Sequence, residues 1–324
     1  MLNNDLKFYS GKNILVTGGA GAVGANLVRA LCDLEVNQIY VVDNLSSGFK
    51  SNLEGVPRTI FIEGDIADPR TLDEVFTHGI DVVFHLAAFF ANQNSIDHPH
   101  EDARTNILGT LQVLEYSNKN KVELFVYVNT PCMYNAESSN WTEGSKEIKH
   151  ETPYSISKFT GEQYSKFFYK YHKLPTVSAR IFNSYGPYEH PGRYRNVIPN
   201  FIDTATKGQS LTITGTGTET RSFTFVDDIV RGLLLAGAQY DGSWQIYNIG
   251  SAKETKIIDL AKKINELTGN TAPIVFTSRR DWDNTLRRRP NINRAKKRLG
   301  YHPTVKLEDG LKRTLDWFRE RKEI

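Results

Sequence analysis

The sequence predicts a doubly wound α/β fold: a parallel sheet flanked by helices, joined to a smaller, mostly α C-terminal unit. Three observations carry this. Short apolar runs recur along the first half of the chain: NILVTGG (13–19), QIYVVDN (38–44), TIFIEGD (59–65), DVVFHLAA (81–88) and LFVYVNT (124–130). The early runs are continuously apolar rather than alternating, as strands covered on both faces must be. The intervals between them carry helical patterns, and strand–helix alternation of this kind builds a parallel sheet.

Taken in order, NILVTGG leads into the helical GANLVRALCDL, LDEVFTHG precedes the fourth run, and TNILGTLQVLEYSNKN precedes the fifth. SISKFTGEQYSKFFYKYH follows, and TVSARIFNSYGP supplies one more strand with its exit loop. Residues 186–222 are rich in Gly, Pro and Thr, with a helical pattern only at 197–207. FVDDIVRGLLLAGAQ and IYNIGS return to the sheet, and an α-rich unit runs from 253 onward. The expected division is residues 1–185, with a return segment at about 223–250, as the larger domain. Residues 186–222 and 251–324 form the smaller one, so the chain crosses between them more than once.

At 324 residues, 39% hydrophobic and 24% charged, the composition is that of an ordinary globular protein. A net charge of +3 is too small for nucleic acid or a membrane surface to be the expected partner. The basic runs at 294–298 and 319–322 read as solvated helix faces, whereas 279–289 is equally a candidate anion site. Cys32 and Cys132 suit a reducing compartment, and no run of about 18 apolar residues is present. The first residues lack the apolar core of a secretion signal. The expected location is the cytoplasm, and no metal is expected.

VTGGAGAVGANL places glycines at 18, 19, 21 and 24 between a buried strand and a helix. Gly18, Gly21 and Gly24, with Ala22 and Val23 in the first turn, permit a tight turn and close approach of a diphosphate to the helix N-terminus. Asp43 closes the second strand about 20 residues on, where a carboxylate accepts from ribose hydroxyls and repels a 2′-phosphate. The expected fold is therefore Rossmann-type and the expected cofactor NAD rather than NADP. Asp65 would lie beside the adenine, and HLAA places the small residues Ala87 and Ala88 where the cofactor passes. His85 reads as a packing residue.

Tyr154 and Lys158, in YSISK, lie four apart on a helix and so share one face. A free tyrosine has a pKa of about 10. A nearby ammonium and the positive nicotinamide ring favour its phenolate, and a drop of about three units needs about 4 kcal/mol of such interaction. Thr130, ending the fifth strand, could hydrogen-bond the same substrate oxygen.

With these motifs in place the chain resembles the extended short-chain dehydrogenase/reductases, the NAD-dependent epimerase/dehydratase family acting on nucleotide sugars. The resemblance covers nearly the whole length: TGGAGAVG, DNLSSG, GDI, HLAA, TNILGT, Thr130, YSISK, RIFNSYGP, VIPNFI, GTGTETRSFTFVDDIVRG and LGYHP. It implies Thr130, Tyr154 and Lys158 as the catalytic set. It adds Asn44, Ser46, Ser47, Gly48, Ile66, Leu86 and Asn106 as cofactor residues. For the sugar nucleotide it implies Ser95, Asn183 and Val197, with Arg221, Arg280 and Arg289 around the diphosphate; guanidinium suits a bidentate phosphate contact.

Departures from the family select the reaction. Dehydratases carry Thr-Asp-Glu where this chain has Thr130-Pro131-Cys132, so the acidic pair is missing. The expected activity is a 4-epimerase of a UDP-hexose or UDP-N-acetylhexosamine, acting through a 4-keto sugar with tightly bound NAD. The alternative is a C5-active enzyme, a 3,5-epimerase or 5,6-dehydratase, using Cys132; against that, Cys132 also reads as a small buried packing residue. A third is a silent NAD-binding regulator, disfavoured by the intact Thr130, Tyr154 and Lys158. YEHPGRYR (188–195) offers Tyr188, Glu189 and His190 before any arginine, which disfavours a uronic sugar while Arg193 and Arg195 keep one open. Helices at about 101–118 and 154–171 carry surplus apolar residues (Ile107, Leu111, Leu114, Phe159, Phe167, Phe168), so a homodimer joined by a four-helix bundle is expected.

Overall fold

The computed structural model describes residues 4–134, 141–145, 150–283 and 285–321. Its centre is a seven-stranded parallel sheet built from β1 (Asn13–Thr17), β2 (Gln38–Asp43), β3 (Thr59–Glu63), β4 (Val82–His85), β5 (Leu124–Asn129), β6 (Thr176–Ile181) and β7 (Gln245–Ile249). The spatial order is β7-β6-β5-β4-β1-β2-β3. The order reverses between β1 and β4, paired Ile14↔Val82 through Thr17↔His85. A crevice opens there, at the carboxyl ends of the strands.

Both faces of the sheet are buried, as the uninterrupted apolar runs require. Ile14, Val16, Val82, Phe84, Leu124 and Val126 pack on one side with α1 (Ala22–Cys32) and α8 (Val226–Ala238). Leu15, Val83, Phe125 and Tyr127 pack on the other with α2 (Pro69–Phe76) and α5 (Thr110–Lys119). Successive residues alternate between the two cores, which is the period of a strand. Asp68 starts α2 by accepting from Arg70 N–H at 3.0 Å, with Pro69 at the first helical position. Ahead of the sheet-crossing helices stand α3 (Asn92–Asp97) and α4 (Pro99–Ala103), the latter running through a π-turn, Arg104–Gly109, into α5.

Helix α6 (Pro153–Phe167), which carries Tyr154 and Lys158, is nucleated by a capping box in which Thr152 and Ser155 bond each other's backbone. It seats closely on β5 because Gly161 lacks a side chain: a Cβ there would stand 2.3 Å from the Tyr127 hydroxyl. That hydroxyl donates instead to the Lys158 carbonyl at 2.9 Å. α6 is shorter than the apolar pattern, passing at Phe168 into a π-turn that ends with Lys173 at φ 62°.

Beyond the sheet lie α7 (Val197–Thr206), α9 (Ile257–Thr268), α10 (Asn293–Leu299) and α11 (Leu307–Glu320). Lys296, Lys297 and Arg298 are exposed on α10, a solvated face. The α-rich C-terminal part also contains strands that its sequence did not announce. Leu211–Thr214 pairs with Ile274–Thr277, and Thr220–Arg221 lies between Thr255–Lys256 and Arg287–Arg288. Two- to four-residue strands are too short to show a period, so only their pairing reveals them.

Candidate active site

A cavity of about 750 Å³ occupies the crevice. Its floor is the glycine turn. Gly18 sits at φ 71°, and a Cβ there would stand 2.7 Å from Ala87 N; at Gly24 it would stand 2.3 Å from the Gly18 carbonyl oxygen. Over Gly21 the space is open, with only the Gly18 oxygen at 3.3 Å from such a Cβ. No side chain caps α1, so its first N–H groups face the cavity beside Ala22 and Val23. That cradle fits a dinucleotide diphosphate.

Asp43, Asn44, Ser46, Ser47, Asp65, Ile66, Leu86, Ala87 and Ala88 line the same cavity. The Asp43 carboxylate accepts from Ala20 N–H at 3.0 Å and Leu45 N–H at 2.9 Å. Gly48 does not line it but lets the loop close on Asp43: a Cβ would come within 3.0 Å of Oδ2. Asn106 also stands behind the wall, its side chain bonding both the N–H and the carbonyl of Phe89 and reaching Ser157 Oγ at 3.1 Å. His85 is fully buried between Thr17 and Thr110, and burial holds its pKa well below the usual value.

Thr130, Tyr154 and Lys158 meet at the middle of the cavity. The Thr130 hydroxyl stands close enough to that of Tyr154 to influence it, and donates to Cys132 Sγ at 3.1 Å. Ser95, expected at the sugar, instead accepts from Tyr154 N–H at 3.0 Å and holds the start of α6. Cys132 is half-buried and lines the cavity rather than packing in the core, and Asn92 Nδ2 donates to its sulfur at 3.5 Å. Lys158 Nζ lies 4.5 Å from the Tyr127 ring centre, and burial brings its pKa down to about 7 despite Asp102 and Glu162. For Tyr154 the expectation of a lowered pKa does not hold in the protein alone. Burial, then the nearness of Cys132 and Asp102, pushes it well above 10.0.

The opposite wall is basic. Arg221, Arg279, Arg280 and Arg288 line it, with Asn183, Val197 and Trp282. Arg221 Nη2 lies 3.3 Å from Asp283 and Arg288 Nη2 3.1 Å from it, so two guanidiniums share one carboxylate. Burial first, then the charge of Arg288, holds the Arg221 pKa down to about 10. Arg279 Nη2 and Arg288 Nε are buried without a hydrogen-bond partner among the described residues. Excess positive charge with spare donors marks an anion site. Arg289, the expected member, is exposed and off the cavity. Alternation along Arg287–Arg288 is the reason: Arg287 turns to Glu254, Arg288 to Asp283, and Arg289 follows Arg287 outward. Asn183 sits at φ 38° and donates to the Ser222 carbonyl at 3.2 Å, a constrained backbone at the cavity edge. Sequence reading also missed Asn92, Gln93, Glu189, Tyr194 and Trp282; all sit on irregular segments or short helices with no periodic signal.

Comparison with known proteins gives the same answer as the geometry. Residues 14–250 match the NAD dependent epimerase/dehydratase family. An epimerase of Methanothermobacter thermautotrophicus superposes with a TM-score of 0.93 at 44% identity, covering 99% of this chain and 96% of that one. UDP-glucose 4-epimerase of Thermotoga maritima, solved with UDP-glucose, has a TM-score of 0.87 at 34% identity, covering 95% and 99%. The UDP-N-acetyl-alpha-D-glucosaminuronate decarboxylase of Bacillus cytotoxicus is 32% identical over 320 residues, 95% of this chain and 98% of its own. No helix of the described residues is long and apolar enough to cross a membrane. The chain is an enzyme of the NAD-dependent epimerase/dehydratase family, built to act on nucleotide sugars.

Proposed function

We propose that the enzyme is a nucleotide-sugar 4-epimerase, with a UDP-hexose or UDP-N-acetylhexosamine as substrate. The observation that carries this is the Thr130–Tyr154 hydroxyl pair, set between the glycine cradle and the basic wall with Pro131 and Cys132, not two carboxylates, beside it. NAD, when bound, supplies a hydride acceptor and donor at the sugar carbon. Tyr154 takes the proton of the C4 hydroxyl and Thr130 shares that bond, so that a 4-keto sugar forms and is reduced from its other face. Lys158, one turn along α6, supplies the cation that offsets the cost of a buried phenolate. Arg221, Arg279 and Arg288 hold the diphosphate while the sugar turns. In this reading residues 1–185 with 223–250 hold NAD, and 186–222 with 251–324 hold the sugar nucleotide.

Cys132 supports a second reading, a C5-active enzyme, because its sulfur faces the cavity and accepts from both Thr130 and Asn92. Incubation with UDP-, GDP- and dTDP-sugars in D₂O, followed by mass spectrometry, separates the two. A C4 epimer without deuterium on carbon is the expected result. Deuterium at C5 or C3 that disappears in Cys132→Ala overturns the 4-epimerase reading.

We also infer a cytoplasmic homodimer joined through α5 and α6. Leu114 and Phe168, expected at that seam, are buried in the chain's own core. Leu108, Ile156, Phe167 and Tyr171 are exposed, at 55%, 48%, 43% and 63%, and supply the apolar face instead.

A further inference from the structure

The segment between Tyr185 and α7 bridges the cavity. At one end Asn26 Nδ2 donates to the Pro187 carbonyl at 3.0 Å, and Asn52 Nδ2 to the Tyr188 carbonyl at 3.3 Å. The His190 ring packs 4.0 Å from that of Phe49. Asn52 and Phe49 belong to the loop that follows Asp43, so this end is fastened to the ribose side of the cradle. At the other end Tyr194 OH donates to Asp97 at 2.8 Å, at the close of α3. Directly after the second fastening Arg195 lines the cavity, its Nη2 donating to the Ser47 carbonyl. Its charge is felt by Asp43 and by Glu189, the latter held by Asn196 Nδ2 at 2.6 Å. A guanidinium carries five N–H donors, and the Ser47 bond uses one.

We propose that Arg195 is a cofactor-holding residue: it reaches across from the segment after β6 and donates to the oxygens of the adenosine ribose–diphosphate half of NAD. The segment carrying it lies over the dinucleotide, so NAD leaves only when the Arg195–Ser47 and Tyr194–Asp97 fastenings open together. The enzyme then keeps its NAD from one turnover to the next. Sequence reading held Arg195 open for a sugar carboxylate; its neighbours Asp43 and Ser47 place it at the cofactor instead.

The test reads the cofactor and needs no sugar, so it stands or falls apart from the choice of reaction. NAD is extracted from purified protein and counted per chain, and its release is timed by chase with excess ADP-ribose. Wild type is expected to come off the column with NAD bound. Arg195→Ala is expected to release it about tenfold faster or more. Arg195→Lys, which keeps the charge and loses the fork, is expected to fall between. Lys207→Ala, exposed just beyond α7 and paired with Asp203 away from the cavity, is expected to release NAD at the wild-type rate. Thermal midpoints of the NAD-free proteins separate lost contact from lost folding; if Arg195→Ala is damaged, Arg195→Lys decides. Wild-type release from the folded Arg195 variants, or equally fast release from Lys207→Ala, overturns the proposal.

Discussion

Replacing Arg288 by methionine and, separately, Arg289 by methionine tests the basic wall at the point where chain position and geometry disagree. Arg288 is 15% exposed in its side chain, and its Nε has no partner among the described residues. A hydrogen bond from such a group to a phosphate is worth about 1.5–3 kcal/mol, or about 10- to 150-fold in affinity. Removing it orphans no carboxylate, since Asp283 keeps Arg221 at 3.3 Å, so the fold should survive. The Arg289 side chain is exposed, and the bond from Trp141 N–H to its carbonyl at 3.4 Å survives substitution. Titration calorimetry with UDP at fixed ionic strength is the assay. Arg288→Met should weaken binding by at least about tenfold, while Arg289→Met stays within about twofold. Equal losses, or a larger loss at Arg289, would refute the assignment of the inward residue.

Three further outcomes are expected. Thr130→Val should cut turnover about 10²-fold, while Thr130→Ser keeps most of it and both retain NAD; a near-normal valine enzyme would remove Thr130 from the chemistry. Burial pushes Glu189 up to about 7 from 4.5, so the folded state binds its proton more tightly and loses stability as pH rises between those values, by up to about 3 kcal/mol. Glu189→Gln, which can still accept from Asn196, should therefore melt higher than wild type at pH 8, with the gain shrinking as pH falls toward 4.5; a gain independent of pH would contradict the shift. Leu108→Glu should split the homodimer at micromolar concentration in light scattering, and a wild-type monomer would remove that seam altogether.

The sequence by itself determined the sheet, the glycine cradle and the helix of Tyr154 and Lys158, because each is written in consecutive residues. Buried parallel strands need unbroken apolar runs, a diphosphate turn needs glycines at set intervals, and four residues bring Tyr154 and Lys158 to one face of α6. Asn106 and Ser95 were expected to touch the cofactor and the sugar, and the structure sets both behind the cavity instead. Their side chains meet Phe89 and the backbone of Tyr154, contacts made across 17 and 59 residues. Only the tertiary structure decided which arginines face inward, since Arg288 is turned by a two-residue strand that exists only when Thr220–Arg221 pairs with it. The same holds for Tyr154, whose hydroxyl looked like a ready base beside its lysine. How far a pKa moves depends on how much water folding removes, and no local pattern records that.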